Sequence, residues 1–298
     1  MSAARPDILC IGSVLWDVIG RTASHMAPGS DLPGRIARVP GGVALNIAAT
    51  LARLGLRPAL LSAVGRDPDG DALIAECAAL GLETQHVYRS DDLPTDRYMA
   101  IEGANGLVAA IADAHSLEAA GDKILRPLLA GPLGRAEAPW SGMVALDGNL
   151  TQALLERIAT DPAFATADLR VAPASPGKAE RLLPFLSHGG AALYLNRSEA
   201  EILDGRAFAS AEEAALRLVA RGARRVVVTD GARPACAASA EAVVVASPPA
   251  VMVTRVTGAG DAFMAAHIAA ERAGADDAAA LDRALGAAAL HVAGETPL

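Results

Sequence analysis

The stretch Val256-Thr257-Gly258-Ala259-Gly260-Asp261-Ala262-Phe263 runs a glycine-rich turn straight into an alanine-rich helix expected over 258–272. A turn of this kind leaves several backbone N–H groups at the helix start unpaired and aimed at one point. With the helix dipole they form a hole for an anion, such as a phosphoryl group in transfer. Asp261 stands in that first turn, where it can take a proton from an attacking hydroxyl while the N–H groups of Gly258, Ala259 and Gly260 hold the phosphate. The plainer alternative is that Gly258 and Gly260 only permit a tight turn and Asp261 caps the helix. The setting of the motif beside the last helices of an alternating chain favours the chemical reading.

That alternation runs through most of the sequence. Short apolar runs at 8–11, 60–64, 143–146, 169–172, 192–195 and 225–229 read as strands. Helical periods at 43–54, 69–80, 151–159, 211–221 and 275–293 lie among and after them, the first two stopped by Gly55 and Gly81. The pattern implies the α/β class, with a mostly parallel sheet covered by helices. It breaks at 98–102 and 107–111, which flank Gly103-Ala104-Asn105-Gly106 and read as a hairpin. Such an insert is either a lid over a ligand site or an ordinary extension of the sheet, and residues 35–39 could add a further lid strand. Short strands at 236–238 and 242–246 follow, and 131–141 reads as a surface loop. No repeat or linker divides the chain, so residues 1–298 are expected to form a single domain with a small β-lid.

Composition bounds the function. The 298 residues are 52% hydrophobic and only 3% aromatic, which excludes disorder, and 26 basic against 34 acidic residues give a net charge of −8. That balance argues against nucleic-acid or membrane-surface binding, so a polyanionic ligand must be held locally. Cys10, Cys77 and Cys236 are far apart and lack metal-ligand spacing, as expected of buried free thiols in a reducing compartment. No run approaches the ~20 apolar residues of a membrane span, and the N-terminal apolar run is too short for a signal sequence. A cytoplasmic protein is expected.

With these motifs in hand, the chain resembles the ribokinase-like (PfkB) carbohydrate and nucleoside kinases over essentially its whole length. Thr257-Gly258-Ala259-Gly260-Asp261 is similar to their C-terminal signature, and Gly41-Gly42-Val43-Ala44-Leu45-Asn46 to their paired-glycine sugar signature. Val64-Gly65-Arg66-Asp67-Pro68-Asp69-Gly70, Asn196-Arg197-Ser198-Glu199 and Thr229-Asp230-Gly231 resemble three further family motifs in the family's order. Within the family, Gly12-Ser13 with Asp17, the lid segments Tyr98-Met99-Ala100 and Leu107 to Asp113, and Asn196 to Glu201 resemble the pseudouridine kinase subgroup.

The resemblance implies a three-layer α/β/α sandwich with a mostly parallel sheet and a small β-lid. It implies transfer of the γ-phosphoryl group of ATP to a hydroxyl of a ribose-containing acceptor, with pseudouridine preferred. Another sugar, sugar-acid or nucleoside kinase is the alternative, and a catalytically silent sugar- or nucleoside-binding protein is the rival from a different class. Asp261 would be the base and Gly258, Ala259 and Gly260 the anion hole. Asp17, Gly41, Gly42 and Asn46 would hold the acceptor sugar, with Tyr98 and Asp113 reaching its base from the lid. Asn196, Glu199, Thr229 and Gly231 would lie at the nucleotide end, and Glu199 would reach Mg²⁺ through water. Because lids in this family often pair, a homodimer is expected.

The chain also departs from these patterns. Arg255 stands where the subgroup carries Asn and ribokinases carry a cation-holding Asp, which argues against potassium activation or turns the guanidinium toward the nucleotide phosphates. Leu15, Ala112 and Ala172 replace polar residues near the expected acceptor pocket. Lys178 reads either as an approach to substrate or as a solvated helix-start lysine. Asp147 and Asn149 read as pocket floor or as a turn-forming pair. No histidine has ligand spacing, and Trp16 and Trp140 read as packing residues.

Overall fold

A computed structural model describes residues 5–295, in which the short apolar runs pair as strands and the alanine-rich periods pack over them. In chain order the first half forms β1 (Ile8–Ile11), β2 (Leu15–Arg21), β3 (Arg35–Gly41), α1 (Val43–Arg53), β4 (Pro58–Leu61), β5 (Ala63–Gly65), α2 (Pro68–Ala79), β6 (Tyr88–Ser90), β7 (Arg97–Gly103) and β8 (Gly106–Asp113). There follow α3 (His115–Ala120), α4 (Arg126–Leu129), β9 (Met143–Asp147), α5 (Gln152–Thr160), β10 (Asp168–Ala172), β11 (Ala191–Asn196), α6 (Arg197–Asp204) and α7 (Ala211–Ala220). The chain closes with β12 (Arg225–Asp230), β13 (Arg233–Ser239), β14 (Val243–Ala246), α8 (Ala259–Arg272) and α9 (Asp277–Ala293).

The main sheet has the order β14-β13-β12-β11-β10-β9-β1-β4. It is parallel from β4 to β12, and β13 and β14 turn antiparallel at one edge. Strand residues alternate between two cores. Leu9, Ile11, Leu146, Val171 and Val228 point into one, and Ile8, Cys10, Ala145, Tyr194 and Val227 into the other. Because helices cover both faces, the strands read as continuous apolar runs rather than as alternating ones. The result is an α/β/α sandwich. Cys10, Cys77 and Cys236 are free and buried, and no helix among the described residues is long and apolar enough to cross a membrane.

Helix α8 is fastened to the sheet by charge as well as packing. Glu271 takes Arg170 and Arg225, and Arg170 also donates to the Tyr194 hydroxyl at 3.2 Å. His267 faces that hydroxyl at 3.0 Å through Nδ1, and burial pushes its pKa down to about 4, so the ring is neutral. This buried network sets the axis of the helix whose first turn carries Asp261.

Two expectations change in detail. The run at 60–64 is not one strand: β4 stays in the main sheet, the chain breaks at the buried Ser62, and β5 pairs with β6 in a sheet of its own. Asp17 lies within β2, a strand that the sequence reading missed, as it missed β6. β2 joins β3, β7 and β8 in a second sheet of order β3-β2-β7-β8, parallel to β7 and antiparallel to β3. Its apolar residues fall on both faces, so no clean period of two marks it.

Candidate active site

Parallel strands send their carboxyl ends to one edge of a sheet, and the helices that return from that edge point their N-termini at it. Here β1 ends before Gly12-Ser13, β9 ends at Asp147, and β11 and β12 end side by side with Asn196 in register with Thr229. The first of these junctions is built around Asp147, which is fully buried. Its carboxylate accepts the Ser13 N–H at 2.7 Å, the Ser13 hydroxyl at 2.5 Å and the Asn149 N–H at 2.8 Å. Gly12 has φ +150°, and a Cβ there would stand 2.2 Å from the Cβ of Asp147, so only glycine admits the carboxylate beneath the turn.

Ser13 then starts α1. The helix is preceded by Gly42, which has no side chain with which to cap it, and the Ser13 hydroxyl accepts the Val43 N–H at 2.9 Å instead. The two glycines at this junction do different work. Gly42, at φ +100°, lets the backbone pass the Ser13 carbonyl, which a Cβ would meet at 2.5 Å. Gly41 leaves room for the carboxylate of Asp17, which a Cβ would meet at 2.1 Å. Asp17 and Tyr98 are register partners on β2 and β7, so their side chains share one face of the small sheet. Burial pushes the Asp17 pKa up to about 6.

One turn into α1, the Asn46 amide donates to Asp261 Oδ2 at 2.9 Å, joining residues 215 positions apart. Burial pushes Asp261 up to about 7. The Asn46 bond pulls against this, and the charges of Asp147, Asp17 and Glu199 add to it. A carboxylate with this pKa can gain and lose a proton near neutrality. Gly258, at φ +84°, turns the chain into α8, and no side chain caps that helix. The Ala259 N–H donates to the Val256 carbonyl at 3.1 Å, the other first-turn N–H groups are open, and a Cβ on Gly260 would meet nothing within 4 Å. The arrangement fits a phosphate group beside Asp261. Behind it, the His291 ring donates to the Thr257 carbonyl at 2.8 Å, and Arg255 Nε donates to the His291 carbonyl at 2.9 Å. The Arg255 guanidinium thus reaches the end of α9.

On the other flank, Asn196 and Glu199 form a reciprocal capping box on α6. The Asn196 Oδ1 accepts the Glu199 N–H at 2.9 Å, and Glu199 Oε2 accepts the Asn196 N–H at 2.8 Å. The box employs one oxygen of each side chain. Glu199 is 8% exposed, its pKa is raised by burial, and its charge reaches Asp261. Gly231, at φ +62°, makes the turn after β12, and Arg197 holds the neighbouring Asp230 at 3.1 Å. Among the described residues no three His, Cys, Asp or Glu side chains cluster as a direct metal cage. These residues fit a cation held on phosphate oxygens, which Glu199 would meet through water.

The structure thus brings together Asp17, Gly41, Gly42, Asn46, Tyr98, Asp261 and the turn Gly258–Gly260, with Asn196, Glu199, Thr229 and Gly231 along the same strand-end edge. It does not bring Asp113 to them. Asp113 is in register with Arg97, on the opposite face from Tyr98, and is ion-paired with His115 at 2.8 Å. Asp147 and Asn149 form the floor network, and Lys178 donates to Asn149 Oδ1. Sequence reading missed Ser13 as the cap of α1. No local signal could find it, because the partner that orients it lies 134 positions away.

The pfkB family carbohydrate kinase model matches residues 5–296. The chain is 32% identical over 204 residues to the uncharacterized sugar kinase YeiI of Escherichia coli (strain K12), covering 67% of this chain and 53% of that protein. It therefore spans about half the length of that relative. With the pseudouridine kinase of the same organism it shares 30% identity over 271 residues, 87% of this chain and 81% of that one. The solved ribokinase of Arabidopsis thaliana, in complex with ribose and ATP, superposes with a TM-score of 0.75 at 20% identity, over 97% and 93% of the two chains. With a helix N-terminus that no side chain caps, Asp261 in its first turn and paired glycines before α1, this chain belongs to the pfkB family of carbohydrate kinases.

Proposed function

We propose that the protein transfers the γ-phosphoryl group of ATP to a hydroxyl of a ribose-containing acceptor, with pseudouridine, giving its 5′-phosphate, as the preferred substrate. The observation that carries this reading is the Asn46–Asp261 bond. It ties the helix expected to hold the sugar to a carboxylate of pKa about 7 beside an open helix N-terminus. The pseudouridine kinase relative, aligned over 87% of this chain, supports the choice of acceptor.

Asp261 accepts the proton of the attacking hydroxyl, since a pKa near neutrality balances ionisation against proton affinity. The N–H groups at Gly258 and Gly260 hold charge on the phosphoryl group as the bond to it forms, and the Ala259 N–H joins them by leaving the Val256 carbonyl. Asp17 and Asn46 orient the ribose hydroxyls, Gly41 and Gly42 let backbone close on the sugar, and Tyr98 covers it from the small sheet, which acts as a lid. Thr229 and Gly231 border the nucleotide, and Asn196 with Glu199 orders water at the phosphates. Mg²⁺, when bound, neutralises phosphate charge. An acidic protein can hold ATP in this way because the positive field is local.

The outer face of the lid exposes Ile36 (81%), Met99 (50%) and Ile111 (69%). Register places Met99 between Val18 and Ile111, so the patch is continuous and suits a second copy in a homodimer. Buried free thiols and the need for ATP suit the cytoplasm.

ATP consumption measured with pseudouridine, uridine and ribose in parallel tests the reading. Turnover greatest with pseudouridine and lost in Asp261→Asn upholds it. Ribose or uridine turned over faster would move the acceptor elsewhere in the family. Binding of these compounds without turnover would favour the silent binding protein.

A further inference from the structure

Three strands of the small sheet converge on one residue of α2, two of them on its carboxylate and one on its carbonyl. Asp69 sits in the first turn of α2, where the helix dipole favours an anion. Arg38 of β3 donates to its Oδ1 at 2.7 Å, and Arg97 of β7 donates to its Oδ2. Trp16 of β2 donates its indole N–H to the Asp69 carbonyl at 2.9 Å, and the Arg38 guanidinium lies 4.2 Å over the Trp16 ring. Trp16 and Arg97 are register partners, and the next residues along the same strands are Asp17 and Tyr98. Successive side chains point to opposite faces. The face gripped by Asp69 is therefore the reverse of the face that carries Asp17 and Tyr98.

We propose that Asp69 is a positioning residue for the acceptor: by fastening the roots of β2, β3 and β7 to α2, it holds Asp17 and Tyr98 as a fixed pair over the sugar. The proposal rests on the acceptor reading of Asp17 and Tyr98. Asp69 touches neither acceptor nor nucleotide and acts only through the strands it holds. Both of its ion pairs are partly open to water, with Arg38 47% and Arg97 58% exposed, so the latch weakens as salt screens it.

Asp69→Asn and Asp69→Glu are compared with the wild type for KM of acceptor, KM of ATP, kcat, melting temperature and hydrogen exchange. Asp69→Asn is expected to raise the acceptor KM about threefold to tenfold, the loss of two ordinary exposed pairs. ATP KM and melting temperature stay near wild type, and Asp69→Glu recovers part of the acceptor KM. About 0.5 M salt is expected to raise the acceptor KM of the wild type but not that of Asp69→Asn. Exchange is expected to quicken in residues 35–41 and 97–103, whose arginines lose the carboxylate, and to stay unchanged in 8–11. An unmoved acceptor KM with unmoved exchange overturns the proposal. So does a joint fall of kcat and melting temperature with a rise of both KM values, which would mark a merely structural residue. Exchange needs no substrate: if the wild type phosphorylates none of the acceptors, the functional reading falls, and faster or unchanged exchange in those strands still upholds or overturns the latch.

Discussion

Replacing Asn46 by Ala is expected to move the acid limb of the pH–rate profile to higher pH. In the wild type, Asp261 has a pKa of about 7, held there against burial and three neighbouring carboxylates by the 2.9 Å bond from Asn46. That bond stabilises the ionised form, so its removal raises the pKa. A hydrogen bond to a charged group contributes about 1.5–3 kcal/mol, and one pKa unit corresponds to about 1.4 kcal/mol. The expected rise is therefore about one to two units, toward the lower value if water fills the space left by the amide. At pH 7 about half of the wild-type Asp261 is ionised, against roughly one to ten per cent in the variant, a fall of about five- to fiftyfold in kcat. The fall shrinks as pH rises and is mostly gone near pH 9–10. A coupled assay of ADP release, with acceptor and ATP both saturating, reads kcat across that range apart from any loss of acceptor affinity. A limb that stays in place, moves to lower pH, or drops by one constant factor at every pH would refute the reasoning.

Two further outcomes follow from the same geometry. Asp261→Asn is expected to abolish turnover and yet raise the melting temperature at pH 8. A carboxyl with a folded pKa of about 7 and an unfolded one near 4 costs stability as pH rises from ~4 through ~7, on the order of 2–4 kcal/mol in all. No gain at pH 8, or a gain equally large at pH 4, would contradict that sign. Gly41→Ala would bring a Cβ to 2.1 Å from Asp17 Oδ2, displacing the carboxylate. The expectation is a rise of about tenfold or more in acceptor KM with ATP KM unchanged, a charged contact being worth ~1.5–3 kcal/mol. An unchanged acceptor KM in a steady-state assay would remove Asp17 from the sugar.

Much of the scaffold was legible because its signals are local. Continuous apolar runs, helical periods and glycine stops report on neighbours within a few residues, and they located β1, β9, β11 and β12 with helices α1, α2, α8 and α9. The turn at Gly258–Gly260 and the glycines at Gly41 and Gly42 were readable for the same reason, since φ and Cβ clearance are properties of the residue itself. β2 was not legible. Its two faces meet different surroundings, the α2 latch on one side and the site on the other, so neither face is uniformly apolar.

The sequence by itself determined the alternating α/β chain, the anion-binding turn at the start of α8, and the kinds of residue available for the chemistry. Only the tertiary structure decided which of them act together. Asn46 meets Asp261 across the chain, Ser13 caps a helix from beyond the small sheet while bound to Asp147, and Asp113 falls on the reverse of the sheet from Tyr98. The pKa of Asp261 is likewise a tertiary property, because burial and the charges of Asp147, Asp17 and Glu199 set it. The reason is one of range: backbone preference acts over one turn or one strand, whereas desolvation, charge and strand register depend on segments that folding brings from far apart.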